Sequence, residues 1–209
     1  MIIHDMEQRT PEWFAIRSGK PTSSEFKRLV TPKGKASSMA ENWGKELAGE
    51  KYLGYPLSSF DGNAHTERGN ELEPEALEYY TETTGNVVNP VGFITDDLMR
   101  YGSSTDGLTE DKEGKGAVEV KCLSNKNHLF MLLTYLKTNN VPDDYTPQVQ
   151  GEILVGELDW VDLLFYHPDF DSVIVRQYPD EKFQSLLKSQ LTVCIKSLNE
   201  AYKILTGEE

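Results

Sequence analysis

Two apolar periods run along this chain, and the places where one gives way to the other predict its elements. Spacing of three to four residues fits helices over Ser38–Tyr52 and from about Asn63 to Thr84. A shorter helix is expected after Thr22-Ser23-Ser24-Glu25, where a hydroxyl can cap the first free amides, and Pro32-Lys33-Gly34-Lys35 ends it. Strand patterns then take over at Val87–Thr95, Arg100–Thr105 and Ala117–Cys122, punctuated by Gly85-Asn86, Asp96-Asp97 and the Asp111–Gly116 loop. Helices return over Asn127–Leu136 and Asp144–Leu158. Trp160–Tyr166 and Ser172–Gln177 read as strands joined by a His167-Pro168-Asp169 turn, and Asp180–Leu205 has the spacing of an amphipathic helix. The order predicts an α/β fold in which helices flank a mixed sheet.

Composition narrows this picture. With 209 residues, 38% of them hydrophobic, the chain can bury one substantial core, so residues 1–209 are expected to form one domain with a helical region at its N-terminal side. No apolar run approaches the roughly 20 residues of a membrane span. Met1-Ile2-Ile3-His4-Asp5 lacks the basic stretch and apolar run of a secretion signal. Cys122 and Cys194 are too few for a disulfide framework and fit a reducing, cytoplasmic setting. A net charge of −13 opposes general polyanion binding. The charge is uneven, however. Arg17, Lys20, Lys27, Arg28, Lys33 and Lys35 face only Glu25 within their segment. That run reads either as a solubilising surface or as a local basic face on an acidic whole.

Candidate chemistry lies in Ser104-Thr105-Asp106-Gly107 and Glu119-Val120-Lys121. Alternate strand residues share a face, so Glu119 and Lys121 point one way, while Val118, Val120 and Cys122 point to the core. Pairing symmetric about the Asp111–Gly116 loop sets Asp106 opposite Lys121 and Leu108 opposite Glu119. Two carboxylates and an ammonium on one face suit Mg²⁺ or Mn²⁺ with a bound water and a phosphate oxygen. They suit an ordinary cross-strand salt bridge as well. Glu73 weighs on this choice, because helical spacing puts it in a stripe with Gly69, Ala76, Leu77 and Tyr80, while Glu71, Glu75 and Glu78 face away. A carboxylate in an apolar stripe needs a partner, which a cation supplies. Alternatively, Pro74 opens the helix and Glu73 caps it.

Five short blocks together resemble the phage lambda exonuclease, or YqaJ-like viral recombinase, family of the PD-(D/E)xK nuclease superfamily. They are Trp13–Ser24 (W-x-x-x-R-x-G-x-x-T-x-S), Gly69–Glu73 (G-x-x-x-E), Ser104–Leu108 (S-x-D-G-L), Glu119–Cys122 (E-V-K-C) and Tyr145–Gln150 (Y-x-x-Q-V-Q). The match runs from about Gln8 to Leu205. It departs from the family at Thr105 and Leu123, where proline is frequent. Pro74 and Pro147 adjoin site positions, and Gln150 could replace Gln148 as a DNA contact.

The resemblance implies a restriction-endonuclease-like sheet and a Mg²⁺- or Mn²⁺-dependent 5′→3′ exonuclease on double-stranded DNA, with two ions per site. Asp106, Glu119, Glu73 and the Val120 carbonyl would hold metal, and Lys121 would position the attacking water. Arg17, Ser24, Ser104 and Gln148 would receive the 5′-phosphate, with Tyr145 orienting the pocket or the metal shell. A homotrimeric ring around the duplex, with the Arg17–Lys35 segment facing its bore, and a single-strand annealing partner are also implied. A structure-specific endonuclease of the same superfamily and a non-catalytic DNA-end-binding module are the rival readings. Two cysteines are too few for an iron–sulfur relative. The four histidines show no metal-ligand spacing and read as surface or capping residues. Trp13, Trp43 and Trp160 read as core rather than base-stacking platforms, with a wedge at a DNA end the lesser alternative for Trp13.

Overall fold

The computed structural model describes residues 1–57 and 64–208, with side chains of residues 64–67 also outside the description. The predicted helix start at Asn63 therefore lies outside the described residues. The elements run β1 (Ile2–His4), α1 (Pro11–Arg17), α2 (Ala40–Leu53), α3 (Ala64–Thr84), β2 (Phe93–Thr95), β3 (Gly102–Ser103), β4 (Gly107–Asp111), β5 (Gly114–Lys121), α4 (Asn125–Thr138), α5 (Thr146–Gly156), β6 (Trp160–Phe165), β7 (Val173–Gln177) and α6 (Glu181–Thr206), with 3₁₀ turns at Ser23–Arg28 and Asp143–Tyr145. This is the expected mixture of helices and strands, but the strands form two sheets. One is three-stranded, β1-β2-β3, and the other four-stranded, β4-β5-β6-β7.

The four-stranded sheet is mixed, as predicted. β5 pairs antiparallel with β4 and parallel with β6. Parallel pairing requires a crossover, which α4 and α5 supply. Both faces of β5 are then covered, which is why Gly116–Glu119 is buried without interruption. Ala117, Val161, Leu163 and Phe165 pack toward Met131 and Leu132 of α4 and Val149 and Ile153 of α5. Val118 and Leu164 pack on the other face against Ala76 and Tyr80 of α3, with Val120 and Cys122 beside them. A separate core joins α2 to α6 through Trp43, Leu47, Leu187, Leu191 and Leu198. Gly44 permits that approach, since a Cβ there would stand 2.3 Å from the Cys194 carbonyl oxygen.

The β4–β5 register differs from the symmetric pairing expected. Gly107 pairs with Val118, and Asp111 with Gly114. The turn is a tight two-residue one at Lys112-Glu113, where Asp111 Oδ1 accepts from the Glu113 N–H at 2.8 Å. Gly114 has φ 114°, and a Cβ there would meet Asp159 Oδ2 at 2.1 Å. Asp106 is therefore level with Glu119 rather than Lys121. The slip is two residues, and side chains alternate with period two, so the predicted faces survive.

Other boundaries moved for local reasons. Only Phe93–Thr95 of the expected Val87–Thr95 strand pairs continuously, with Asn89 bridging to Leu108. The Thr22 cap is absent, and Ser23–Arg28 is a 3₁₀ turn without a side-chain cap bond. Pro74 lies inside α3, so Glu73 is not its cap.

Candidate active site

Ser104, Thr105 and Asp106 run into β4 along the end of β5. Asp106 N–H donates to the Val118 carbonyl at 3.1 Å, and Asp106 Oδ2 accepts from the Val120 N–H at 2.7 Å. Thr105, where the resembling family often has proline, donates its hydroxyl to the Val118 carbonyl at 2.8 Å and fixes the same approach. Glu119 and Lys121 leave the α5-facing side of β5. Glu119 Oε1 accepts from Lys121 Nζ at 2.7 Å and from Gln148 Nε2 at 2.6 Å. Gln148 Oε1 in turn accepts from Lys121 Nζ at 3.1 Å.

Sequence reading missed Glu152. It is one helical turn beyond Gln148, 1% exposed, and accepts from Gln148 Nε2 at 2.9 Å. The signal was a carboxylate at i+4 from Gln148, directly before the apolar run Ile153-Leu154-Val155. The outer oxygens of Glu119 and Glu152 are buried with no donor among the described residues. Gln148 Nε2 bridges the two carboxyls. A proton or a cation would satisfy the outer oxygens.

The electrostatics say the same. Burial, followed by the charges of Glu119 and Glu73, pushes the Asp106 carboxyl well above the usual range, against the Val120 N–H. Burial and Glu119 push Glu152 up likewise, against Lys121 and Gln148. Burial pulls the Lys121 ammonium down, but Glu119, Asp106 and Glu152 outweigh it and hold it above its ordinary value. Lys121 is therefore a standing proton donor in hydrogen bonds rather than a base. The Tyr145 ring centroid lies 5.4 Å from its Nζ.

Arg17 heads a second pocket. Its guanidinium donates to Ser104 Oγ at 2.9 Å and Thr22 Oγ1 at 3.4 Å, and it lies 4.1 Å over the Trp13 ring. Trp13 Nε1 donates to the same Ser104 oxygen at 3.1 Å. Ser24 Oγ is 3.5 Å from Thr22 Oγ1. Burial lowers the Arg17 pKa to about 10, with Glu25 opposing weakly. No carboxylate pairs with Arg17 among the described ion pairs. A desolvated guanidinium beside hydroxyls is a receptor for an anion.

The structure thus divides the predicted residues. Arg17, Ser24 and Ser104 gather in one pocket, joined by Trp13 and Thr22. Asp106, Glu119 and Lys121 gather in the other. Gln148 is hydrogen-bonded into the carboxylate cluster, on a helix, α5, that also packs against the Ser23–Arg28 turn. Tyr145 follows it. Gln150 is 4% exposed and bonds the Tyr178 carbonyl and the Asp180 N–H, so it is a structural tie and not a DNA contact. Glu73 pairs with Arg9. Ser104 and Asp106 are two residues apart, about 6–7 Å of extended chain, so the pockets adjoin.

His128 and His167 correct the surface reading. Both are buried, at 0% and 2% exposed. His128 Nε2 bonds the Asp171 carbonyl, while His167 Nδ1 accepts from the Asp169 N–H and its Nε2 meets Asn125 and Arg68. The His65 side chain lies outside the described residues. Burial, then Asp106, raises the Cys122 thiol to about 11, which removes it as a nucleophile. Arg28 of the basic run is bound to Glu46 at 2.7 Å.

Metal fit was judged on the donors. Among the described residues no three carboxylate, imidazole or thiol groups are already gathered round one point. Each acid is turned to an internal partner: Asp106 to Val120, Glu119 to Lys121 and Gln148, Glu73 to Arg9. The set is nevertheless hard oxygen, crowded, and short of positive charge, with two orphaned carboxylate oxygens. These residues fit a hard divalent cation.

The pattern that defines the YqaJ-like viral recombinase domain matches residues 12–159. Two solved structures of an alkaline exonuclease (LHK-Exo) from Laribacter hongkongensis are similar at TM-score 0.79 over 95% of this chain and 97% of theirs. One has 26% identity, and the other, a complex with dAMP, has 28%. A phage-related exonuclease from Haemophilus somnus 129PT is similar at TM-score 0.65 and 18% identity, over 91% of this chain and 96% of its own, which speaks to fold alone. No curated protein matches the sequence at a significant level. No described helix is long and apolar enough to cross a membrane.

Proposed function

Because the chain belongs to the YqaJ-like viral recombinase domain family, we propose that it is a metal-dependent exonuclease. It would degrade one strand of double-stranded DNA from a 5′ end, leaving a 3′ single strand for recombination. The carrying observation is the junction of two unlike clusters across Ser104–Asp106: a largely desolvated guanidinium with no carboxylate partner among the described residues on one side, crowded carboxylates around one lysine on the other. The first fits a terminal phosphate. The second fits the hydrolysis of a phosphodiester bond.

Asp106, Glu119, Glu73 and the Val120 carbonyl would hold Mg²⁺, or Mn²⁺ in its place, two ions per site. Metal bound there would lower the pKa of a water and neutralise charge developing on the phosphodiester. Lys121 donates to the attacking water and to the developing negative charge. Gln148 keeps the ammonium in place through its amide oxygen, and its amide nitrogen holds Glu119 and Glu152 in register. Arg17 and Ser104 hold the 5′ end, with Thr22 and Ser24 at the edge of the pocket. DNA, a homotrimeric ring and an annealing partner complete the proposal.

Digestion of 5′-phosphorylated, 5′-hydroxyl and closed circular duplexes with Mg²⁺ tests it. The phosphorylated linear duplex should be cut fastest from its 5′ end, and the circle left intact. Nicking of the circle would support the endonuclease reading, and binding without cutting a DNA-end-binding module. A solution mass of one protomer would remove the ring.

A further inference from the structure

Arg9 is used by nothing described above, yet the chain holds it in place at some expense. Its φ is 68°, in the left-handed region that L-residues rarely adopt. The residues on either side are clamped. Gln8 Nε2 donates to the Val91 carbonyl at 2.8 Å and the Thr105 carbonyl at 2.9 Å. Thr10 donates to the Glu7 carbonyl at 2.9 Å and caps α1 by accepting the Trp13 N–H at 3.3 Å. Thr105 adjoins Asp106, so Arg9 is tied to the segment that carries both pockets. The clamped backbone delivers its guanidinium to Glu73, whose charge Asp106 feels. Its side chain is 43% exposed.

We infer that Arg9 is a DNA-positioning residue that also stands in for the metal. This rests on the nuclease reading above. With no divalent cation bound, Arg9 neutralises Glu73 and so weakens cation binding there. Once a cation takes Glu73, the guanidinium loses its only carboxylate among the described ion pairs. It then remains beside the carboxylates, at the start of the segment that leads through α1 to Arg17. A strand cut beside Asp106 brings its phosphates to the same carboxylates. The phosphate backbone of that strand is the anion it would take up.

The two roles predict effects of opposite sign. Mn²⁺ binding to the DNA-free protein, read from the free-ion electron paramagnetic resonance signal, compares the parent with Arg9→Gly, which keeps the left-handed backbone unstrained, and with Arg9→Lys. Arg9→Gly should bind Mn²⁺ up to about fivefold tighter, the factor a partly exposed ion pair contributes. At saturating Mn²⁺ its KM for a 5′-phosphorylated duplex should rise by a similar factor, and Arg9→Lys should fall between on both measures. A residue that only supported the fold would weaken both. Mn²⁺ binding unchanged or weaker in folded Arg9→Gly overturns the stand-in role, and an unchanged KM overturns the DNA role. A parent that binds no Mn²⁺ overturns the nuclease reading, and this inference with it. Should Arg9→Gly fail to fold by circular dichroism, Arg9→Asn, which tolerates the left-handed backbone and limits the unfolded chain more than glycine does, carries the same comparison.

Discussion

Replacing Arg17 with methionine should stabilise the free protein while removing its preference for a 5′-phosphate. The guanidinium is largely desolvated, and the fall of its pKa to about 10 corresponds to roughly 3 kcal/mol against the charged form. Part of this is offset where it stands. Contact with Trp13 at 4.1 Å contributes about 0.5–1 kcal/mol, and the bond to Ser104 at 2.9 Å about 1 kcal/mol. Methionine keeps an apolar stem on Trp13 and removes the charge. The free protein should gain about 1 kcal/mol, or a rise in Tm of roughly 2–4 °C for a chain of this size. A charge-assisted contact to phosphate is worth about 1.5–3 kcal/mol. The ratio of kcat/KM between 5′-phosphorylated and 5′-hydroxyl duplexes should then shrink by roughly 10- to 100-fold. Thermal melting without DNA and initial rates on the paired substrates read the two effects separately. A variant that melts lower and still prefers the phosphate would refute the claim that Arg17 is an anion receptor held at a cost to stability.

Lys121→Ala should abolish cleavage while duplex binding, measured by mobility shift, is largely kept; cutting at the parent rate would sink the proposed chemistry. Glu152→Gln relieves the carboxylate crowding, so it should raise Tm by roughly 2–4 °C without metal and reduce the extra stability that Mn²⁺ gives the parent; calorimetric melts with and without Mn²⁺ decide it. Asp162 is 2% exposed and takes bonds from Tyr80 and Arg176 at 2.7–2.9 Å, so Asp162→Ala, which leaves the Tyr80 hydroxyl without its acceptor and Arg176 with Asp111 and Glu113, should lose about 1–3 kcal/mol in urea unfolding. Burial, then His128 and Arg68, lowers the His167 pKa. The native state therefore binds its proton later than the unfolded chain, and stability should decline as pH falls below about 6.5, toward the lowered native value; His167→Asn should flatten that stretch of the stability curve.

The long elements were legible because their patterns are local. The last helix, expected over Asp180–Leu205, spans Glu181–Thr206, and Trp160–Phe165 with Val173–Gln177 fall within one or two residues of the strands expected. Ile2–His4 gave no comparable signal. It is three residues long and exists through pairing with Phe93–Thr95, some ninety positions away. The strand expected from Val87 shrank for a related reason. Gly92 lies so close to the chain at Met6 that a Cβ would stand 2.3 Å from the Met6 carbonyl oxygen. The hairpin failed on turn length. Six polar and glycine residues suggested a loop, but only Lys112 and Glu113 turn, because Asp159 fills the space a side chain at Gly114 would need.

In the site, residue types were readable and their partners were not. Strand alternation placed Glu119 and Lys121 on one face whatever the register, so an error of two residues did no harm. Gln148 and Glu152 depend on where α5 crosses β5, a contact between segments about thirty residues apart that no periodicity encodes. That crossing changes the meaning of the cluster. Asp106, Glu119 and Lys121 alone could have balanced as a surface salt bridge. With Glu152 buried beside Glu119 and Glu73 felt at Asp106, carboxyl groups outnumber cations in a largely desolvated cluster. A chain of net charge −13 meets a polyanion here only if added cations reverse the local sign. Arg9 and Arg17 provide part of that reversal as fixed charges, and a divalent ion would provide the rest. Duplex affinity should therefore depend on divalent cations far more than on the other five basic residues of the Arg17–Lys35 run, Lys20, Lys27, Arg28, Lys33 and Lys35. A mobility-shift titration of Lys121→Ala with and without Ca²⁺ tests this, and equal affinity in both would contradict it.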